Sequence, residues 1–198
     1  LLNNSLILPD QPRHYYDAKK IYDITLDIKN PTILEIGGGY GGLLINLFKV
    51  FKDKPFTYVN IDICSTSFIF YYIIDNYLNN ENKNIKIEVN NSNTIKKMID
   101  TEQNIILNIF NNKFINFENN IDLVYNSHSL SEMSNAHITY YMNIIMKNNA
   151  TYFYHINADY FPWKTSYKNH IEINASEFPL FNYKKLTHGI SPWISGGN

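Results

Sequence analysis

The run of glycines between residues 37 and 42 constrains the fold of this 198-residue chain more than any other feature. Five of the eight glycines fall there, directly after the apolar segment 32–36 and directly before a helix-forming segment at 43–51. Glycine lacks a Cβ and tolerates positive φ, so backbone N–H groups in such a turn can approach a ligand closely. A helix that starts at the turn directs the positive end of its dipole to the same point. The sequence therefore predicts a strand, a glycine turn and a helix, with a nucleotide-like ligand at the turn.

Strand-like and helix-like apolar patterns alternate along the chain. Strands are predicted at 33–36, 56–61, 85–89, 121–125, 151–156 and 181–186, and 104–110 fits either a strand or a buried helix. Helices are predicted at 10–28, 43–51, 67–78, from about Thr94, and through 140–146. This alternation favours an α/β fold with a Rossmann-like, doubly wound, mostly parallel sheet. We expect one domain over 1–198, in which a helical cap (1–30) precedes the α/β core (31–198).

The helix predicted at 10–28 precedes the first strand. Asp10 can act as its N-cap, and Pro12 suits its first turn. Its apolar side is predicted to consist of Tyr15, Ala18, Ile21, Tyr22 and Leu26. We expect this side to pack on the domain. In the alternative interpretation, Arg13, His14, Tyr15 and Tyr16 form a lid over the ligand.

Composition limits the partners and the compartment of the chain. The formal net charge is −1, so the chain lacks the basic surface that nucleic-acid binding requires. No apolar run reaches the roughly 18 residues of a membrane span, and no signal segment opens the sequence. The single cysteine, Cys64, excludes a disulfide within this sequence, and we expect it to be a small buried residue. We expect a cytoplasmic protein, and the start at Leu1 rather than Met leads us to expect part of a longer chain.

Two fingerprints overlap at the glycine turn. Gly37-x-Gly39-x-x-Gly42 fits the dinucleotide-binding pattern, with Asp62 about twenty residues further on at the end of the second strand. The same residues spell Glu35-x-Gly37-x-Gly39-x-Gly41, which resembles the first motif of class I S-adenosylmethionine-dependent methyltransferases. Asp62 suits both, because both ligands offer ribose hydroxyls. Glu35 favours the methyltransferase, since a carboxylate is awkward beside a pyrophosphate.

This resemblance implies S-adenosylmethionine as the cofactor. Glu35 would lie near the methionyl ammonium, and Asp62 would accept hydrogen bonds from the ribose. The other implied cofactor contacts are Gly37, Gly38, Gly39, Gly41 and Asn126. A helix ahead of the first strand often closes over the cofactor in such enzymes.

A second unusual stretch, 122–133, follows the strand predicted at 121–125 and therefore lies at a ligand-binding edge of the sheet. Its pattern, Asp-Leu-Val-x-Asn-x-x-Ser-x-x-Glu-Met, resembles the sugar O-methyltransferases, which are bacterial enzymes. The resemblance implies a sugar hydroxyl of a glycan or its precursor as the acceptor. His128 and Glu132, four residues apart, are the candidate general base and its partner. In the alternative interpretation, Ser129 or Ser131 caps the next helix and Glu132 favours its first turn.

Other features leave alternatives open. His155 and Asp159 could complete a substrate or metal site, but no local spacing demands a metal, and none is predicted. Trp163 could stack on a sugar ring. A non-catalytic module with a methyltransferase fold is the main alternative function, and an NAD(P)-dependent oxidoreductase is the next.

Overall fold

The computed structural model describes residues 10–83, 85, 87–90, 94–95, 105–109, 116–117, 120–157, 175–180 and 183–190. Helices in these residues are α1 (Gln11–Ile24), α2 (Gly42–Phe51), α3 (Cys64–Asn80) and α4 (Asn135–Lys147). Strands are β1 (Thr32–Ile36), β2 (Thr57–Ile61), β3 (Ile87–Asn90), β4 (Thr94–Ile95), β5 (Ile105–Ile109), β6 (Asn116–Phe117), β7 (Leu123–Ser127) and β8 (Tyr152–Ile156). Short 3₁₀ helices cover Ser129–Glu132 and Ala175–Glu177.

Six of the described strands form one sheet in the order β3-β5-β2-β1-β7-β8, and all their described pairings are parallel. The chain runs outward from β1 to β2 on one side and returns to β7 on the other side of β1. Ile36, at the end of β1, pairs with both Ile61 and Asn126, so three strands end together at one edge. The crevice at such a reversal of strand order is where doubly wound sheets bind ligands. The predicted α/β, doubly wound, parallel fold is confirmed.

Alternation along β1 divides the core into two clusters, because successive side chains in a strand point to opposite faces. Leu34 and Ile36 belong to the cluster that contains the apolar side of α4. Ile33 belongs to the cluster that contains the apolar sides of α1, α2 and α3. In α2, Leu44, Leu47 and Phe48 are buried, as their spacing predicts. Helices therefore cover both faces of the sheet.

Several elements differ from their sequence predictions. The helix expected from Thr94 is wrong at its first residues, since Thr94 and Ile95 form β4 and pair with β6, and 96–104 lie outside the described residues. The ambiguous segment 104–110 is a strand, β5. The strand predicted at 181–186 is wrong over 183–186, which have no regular secondary structure; 181–182 lie outside the described residues.

Helix α1 is shorter than predicted and presents a different side to the core. It ends at Ile24, and the Thr25 hydroxyl donates to the Ile21 carbonyl oxygen at 2.8 Å. Asp10 makes no side-chain cap hydrogen bond. Ala18 and Ile21 are buried as expected and Tyr22 is half-buried, whereas Tyr15 and Leu26 are exposed; a carboxylate, Asp17, is buried instead.

Two further observations concern the surface. Cys64 is exposed, so the prediction that it is buried is wrong: it is the first residue of α3. Within the part of the chain that the structure describes, no helix combines the length and the apolar character that crossing a membrane requires.

Candidate functional site

The glycine turn joins β1 to α2 and is held against the end of β2 by its own backbone. Gly37 N–H donates to the Ile61 carbonyl oxygen at 2.8 Å, and Gly41 N–H donates to that of Gly38 at 2.9 Å. Gly38 N–H donates to Asn60 Oδ1 at 3.2 Å. These N–H groups therefore have protein acceptors, which differs from the expectation that they face a ligand. Their first role is to fix the shape of the turn.

Gly37 and Gly39 both have positive φ, 76° and 56°, but their surroundings differ. A Cβ on Gly37 would clash with Ser129 Oγ, so the 3₁₀ helix that follows β7 packs directly on this glycine. A Cβ on Gly39 would meet no atom within 4 Å. The turn is closed towards the 3₁₀ helix and open at Gly39, which leaves room for a ligand on that side.

Asp62 follows β2 and faces the turn, as the spacing predicts. Its Oδ2 accepts from Gly39 N–H at 2.9 Å, and its Oδ1 accepts from Ile63 N–H at 2.7 Å. Burial raises the pKa of this carboxyl, and the two backbone hydrogen bonds oppose that change. Each oxygen keeps a second lone pair for a ligand hydroxyl. Beside it, Ile63 is 57% exposed and presents an apolar surface.

Glu35 is buried at the end of β1, two residues before Gly37. Its Oε2 accepts a hydrogen bond from the Tyr58 hydroxyl. Burial raises the pKa of Glu35 to about 8, with smaller contributions in the same direction from Asp62 and Asp17; the positive charge of Arg13 opposes them. At neutral pH the carboxyl is therefore mostly protonated in the free protein, ready to ionise beside a cation.

Helix α1 contributes two charged residues whose placement the sequence did not predict. Asp17 is fully buried, and its oxygens accept from the hydroxyls of Tyr125 (2.7 Å) and Tyr154 (3.1 Å). Burial raises the pKa of Asp17. Arg13 Nη1 donates to Ser127 Oγ at 2.7 Å. The first turn of α1 thus reaches the carboxyl ends of the strands, as the lid interpretation requires.

Asn126 hydrogen-bonds to three segments of the chain: the end of β1, the 3₁₀ helix and the residue after β8. Its Nδ2 donates to the Ile36 carbonyl oxygen at 2.8 Å and to Ser129 Oγ, and its Oδ1 accepts from Leu130 N–H and from Asn157 Nδ2. All four hydrogen-bonding positions of this buried amide are therefore occupied within the protein. The arrangement makes Asn126 a residue that positions the turn, and its predicted cofactor contact stays a prediction. No sequence pattern pointed to Asn157, whose side chain joins this network from just after β8.

His128, the residue just before the 3₁₀ helix, has a positive φ of 65°. Its N–H donates to the Ile156 carbonyl oxygen at 2.7 Å, and its side chain is exposed at the sheet edge. Partial burial of the ring and the nearby Arg13 lower its pKa, while Glu132 and Asp10 oppose them, so the imidazole is neutral at pH 7. No hydrogen bond joins His128 to Glu132 among the described residues. The 3₁₀ geometry does not give the four-residue spacing a common face, as an α-helix would.

Ser134, rather than Ser129 or Ser131, caps α4: its Oγ accepts from His137 N–H at 3.4 Å. The predicted capping role of the other two serines is therefore wrong. Ser129 Oγ donates to the Ile36 carbonyl oxygen at 3.1 Å, and Ser131 Oγ donates to that of His128 at 2.7 Å. Ser129 thus holds the 3₁₀ helix against the end of β1, whereas Ser131 closes the first turn of the 3₁₀ helix itself.

Of the remaining candidates, His155 lies on β8 as the register partner of Asn126, and its Nδ1 lies 3.5 Å from Asn157 Nδ2. His155 stacks on Phe153 and contacts Phe178. Asp159 and Trp163 lie outside the described residues. Within the described ranges, no group of three or more His, Cys, Asp or Glu side chains is placed to hold a metal ion.

Comparison with known proteins gives similarities of fold. No protein-family model matches the sequence, and no curated protein matches it. A candidate S-adenosyl-L-methionine-dependent methyltransferase from Methanococcus maripaludis matches over 74% of this chain and 56% of its own, with 18% identity and a TM-score of 0.47. The plantazolicin methyltransferase in complex with S-adenosylhomocysteine matches over 76% of this chain and 49% of its own, with 12% identity and a TM-score of 0.45.

A third solved structure, a candidate O-methyltransferase from Nostoc punctiforme, matches over 80% of this chain and 41% of its own, with 14% identity and a TM-score of 0.40. The chain thus spans about half the length of these structures. The fold assignment rests on the strand order and parallel register described above.

Proposed function

We propose that this chain binds S-adenosylmethionine and transfers its methyl group to a sugar hydroxyl. The observation that carries the proposal is the buried carboxyl of Glu35, two residues before a glycine turn, where β1 ends beside β7. A carboxylate in such a place attracts an ammonium group and repels a pyrophosphate. The proposed cofactor therefore places a cationic group beside Glu35. S-adenosylmethionine has an ammonium group for this position, whereas a nicotinamide dinucleotide would place its pyrophosphate there.

The residues around the turn fit the parts of this cofactor. Asp62 would accept hydrogen bonds from the ribose hydroxyls through its remaining lone pairs. Ile63, exposed beside it, offers an apolar surface to the adenine. Glu35 would hold the ammonium, and the open side of Gly39 would admit the ligand. Bound S-adenosylmethionine would supply an electrophilic methyl group on sulfur.

His128 is the proposed general base. It lies at the carboxyl end of β7, and its lowered pKa keeps the ring neutral and able to accept a proton at pH 7. The imidazole would take the proton that the acceptor hydroxyl loses when the methyl group passes from the sulfonium sulfur to the acceptor oxygen, which leaves S-adenosylhomocysteine and the methyl ether. Glu132 stabilises the resulting imidazolium through its charge, since it favours the protonated ring. Alignment of the acceptor accounts for much of the rate.

The sugar acceptor rests on the resemblance of 126–133 to the sugar O-methyltransferases. In the structure this segment folds back on the glycine turn, because Asn126 and Ser129 both hydrogen-bond to the Ile36 carbonyl oxygen. An acceptor that contacts the segment would therefore lie beside the proposed cofactor.

Asp62→Ala tests the cofactor half of the proposal. We expect S-adenosylhomocysteine to bind about 10- to 100-fold more weakly, because hydrogen bonds from the ribose to a charged acceptor are lost. Asp53→Ala, at an exposed aspartate after α2, is the matched control and should bind normally. An unchanged affinity in Asp62→Ala would place the cofactor elsewhere.

His128→Ala tests the base. With labelled S-adenosylmethionine and a panel of glycan precursors, we expect turnover to fall about 10²- to 10⁴-fold while the affinity for S-adenosylhomocysteine is kept. His188→Ala, at an exposed histidine, is the control. Full turnover in His128→Ala would reject this role.

A non-catalytic module is the second candidate. It is favoured by the lack of a hydrogen bond between His128 and Glu132 among the described residues. This candidate predicts cofactor binding with no labelled product from any acceptor in the same panel.

A further inference from the structure

Arg13 is the only arginine in the chain, and α1 places it at the ligand-binding edge of the sheet. Its Nη1 lies 2.7 Å from the hydroxyl of Ser127, the last residue of β7. Ser127 follows Asn126, which pairs with the end of β1 just before the glycine turn. A guanidinium on the first helix thus lies beside the point where the strand order reverses.

The Arg13 guanidinium has more N–H donors than its described partners use. Its partners among the described residues are Ser127 and Asp10, and the Asp10 contact is an ion pair at 3.5 Å. Asp10 has a side chain 57% exposed, whereas that of Arg13 is 18% exposed. An exposed ion pair of this kind contributes little. A guanidinium has five N–H donors in a planar fork that matches a carboxylate, so most of its capacity is available to a ligand.

The rest of α1 fixes Arg13 in place. One turn further on, Asp17 is tied to Tyr125 and Tyr154, which are paired neighbours on β7 and β8. Ala18 and Ile21 are fully buried in the core cluster on this face. A side chain on a helix anchored in this way is preorganised, which lowers the entropy lost on binding.

Arg13 and Glu35 are a base and an acid at the same edge of the sheet, a combination that suits a zwitterionic ligand. The positive charge of Arg13 opposes the rise in the pKa of Glu35, so the two groups act on each other across the site. Glu35 lies near the end of β1, and Arg13, on α1, contacts the last residue of β7, the adjacent strand. The site therefore has a cationic group and a carboxyl group that ionises beside an ammonium, at the ends of two adjacent strands.

We propose that Arg13 binds the carboxylate of the amino-acid end of S-adenosylmethionine, while Glu35 binds its ammonium. This inference rests on the proposed function and adds a specificity to it. The site selects a cofactor with an intact α-amino acid and discriminates against the same nucleoside thioether without its carboxylate.

The test compares two ligands in calorimetry: S-adenosylhomocysteine and its decarboxylated analogue, which keeps the amine. We expect the unaltered protein to prefer S-adenosylhomocysteine by about 10- to 100-fold, the contribution of a charge-assisted pair. Arg13→Gln should lose most of that preference by weakening only S-adenosylhomocysteine. Lys19→Gln removes the same charge from an exposed position on α1 and should keep the preference.

Arg13→Lys keeps the positive charge but lacks the planar set of N–H donors of a guanidinium. It is the second test variant if Arg13→Gln does not fold. We expect it to reduce the preference several-fold, because an ammonium cannot bind a carboxylate through two parallel hydrogen bonds. An undiminished preference in the variant that folds overturns the role of Arg13 and leaves the proposed function intact. Failure of the unaltered protein to bind S-adenosylhomocysteine overturns both.

Discussion

Glu35 carries a carboxyl group into the face of the sheet that also holds Ile33, Tyr58 and Tyr125. Burial without a direct cationic partner keeps its pKa near 8, so the free protein holds a neutral acid there. A bound ammonium would reverse this, because an adjacent opposite charge stabilises the carboxylate. On the proposed function, cofactor binding and loss of a proton would therefore be coupled at this residue.

This coupling predicts a pH dependence of affinity. Below pH 8 the carboxyl must lose its proton before it can pair with the ammonium, so the affinity for S-adenosylhomocysteine should rise about tenfold between pH 6.5 and 8. Calorimetry in buffers of different ionisation enthalpy should detect release of a proton at pH 7.

Glu35→Gln removes the titrating group and is the direct check on that pH dependence. The variant should bind more weakly, with little change in affinity over the same pH range and no proton released from this site. Glu81→Gln, at an exposed glutamate, is the matched control. The same pH dependence in Glu35→Gln would assign the titration to another group.

The same residue makes a prediction about stability. The pKa of Glu35 is raised from 4.5 to about 8 on folding, so the folded state keeps a proton that the unfolded state loses. The free energy of unfolding should therefore fall as pH rises through this window. The free energy of unfolding of Glu35→Gln, relative to that of the unaltered protein, should rise by roughly 2–3 kcal/mol between pH 6 and pH 8.5 in urea unfolding. A constant difference across this range would show that Glu35 ionises normally.

Spacing placed Glu35 and Asp62 correctly at the ends of two strands, because both follow short apolar runs with clear limits. Asp17 could not be placed in the same way. An aspartate between tyrosine and alanine on a helix is ordinarily a surface residue. Its burial depends on two tyrosine hydroxyls, more than 100 residues away along the chain.

The glycine turn is packed against the 3₁₀ helix at Gly37 and open at Gly39. Gly37→Ala should cost about 2–4 kcal/mol in the free energy of unfolding, since its Cβ would clash with Ser129 and its φ is positive. Gly39→Ala, with the same backbone strain but open space, should cost only about 1–2 kcal/mol and should mainly weaken cofactor binding. Equal destabilisation by both would contradict the close contact at Gly37.

Helix α1 depends on Asp17 for its attachment to β7 and β8. Asp17→Ala would leave the buried Tyr125 hydroxyl without its acceptor, at a cost of about 1–3 kcal/mol in urea unfolding. It should also weaken the binding of S-adenosylhomocysteine, because Arg13 loses its support. Asp23→Ala, at an exposed position on the same helix, should change neither property.

The elements that the sequence predicted best are those with strong periodicity and a clear end. Strand β1, bounded by Pro31 and Gly37, and helix α2, after the glycine turn, differ from their predictions by one residue. Thr94 was misassigned because its polar surroundings fit several structures and only its pairing with Asn116 decides. The α1 boundary differs because Thr25 hydrogen-bonds back to the helix, an interaction that hydrophobic spacing does not reveal.

The whole molecule places different chemistry on the two faces of its sheet. The α4 face is built from aliphatic side chains with Tyr141 and Phe178, whereas the opposite face buries Asp17 and Glu35 among tyrosines. The glycine turn, Asp62 and Arg13 meet at one edge of that sheet. This arrangement follows from strand order. The glycine turn and the spacing to Asp62 predicted part of it, whereas no sequence pattern predicted the position of Arg13.

The central claim is that this edge binds S-adenosylmethionine rather than a dinucleotide. Calorimetric titration of the unaltered protein with S-adenosylhomocysteine, and separately with NADH, tests it most directly. We expect one molecule of S-adenosylhomocysteine to bind per chain and no binding of NADH. Binding of NADH without S-adenosylhomocysteine would contradict the claim.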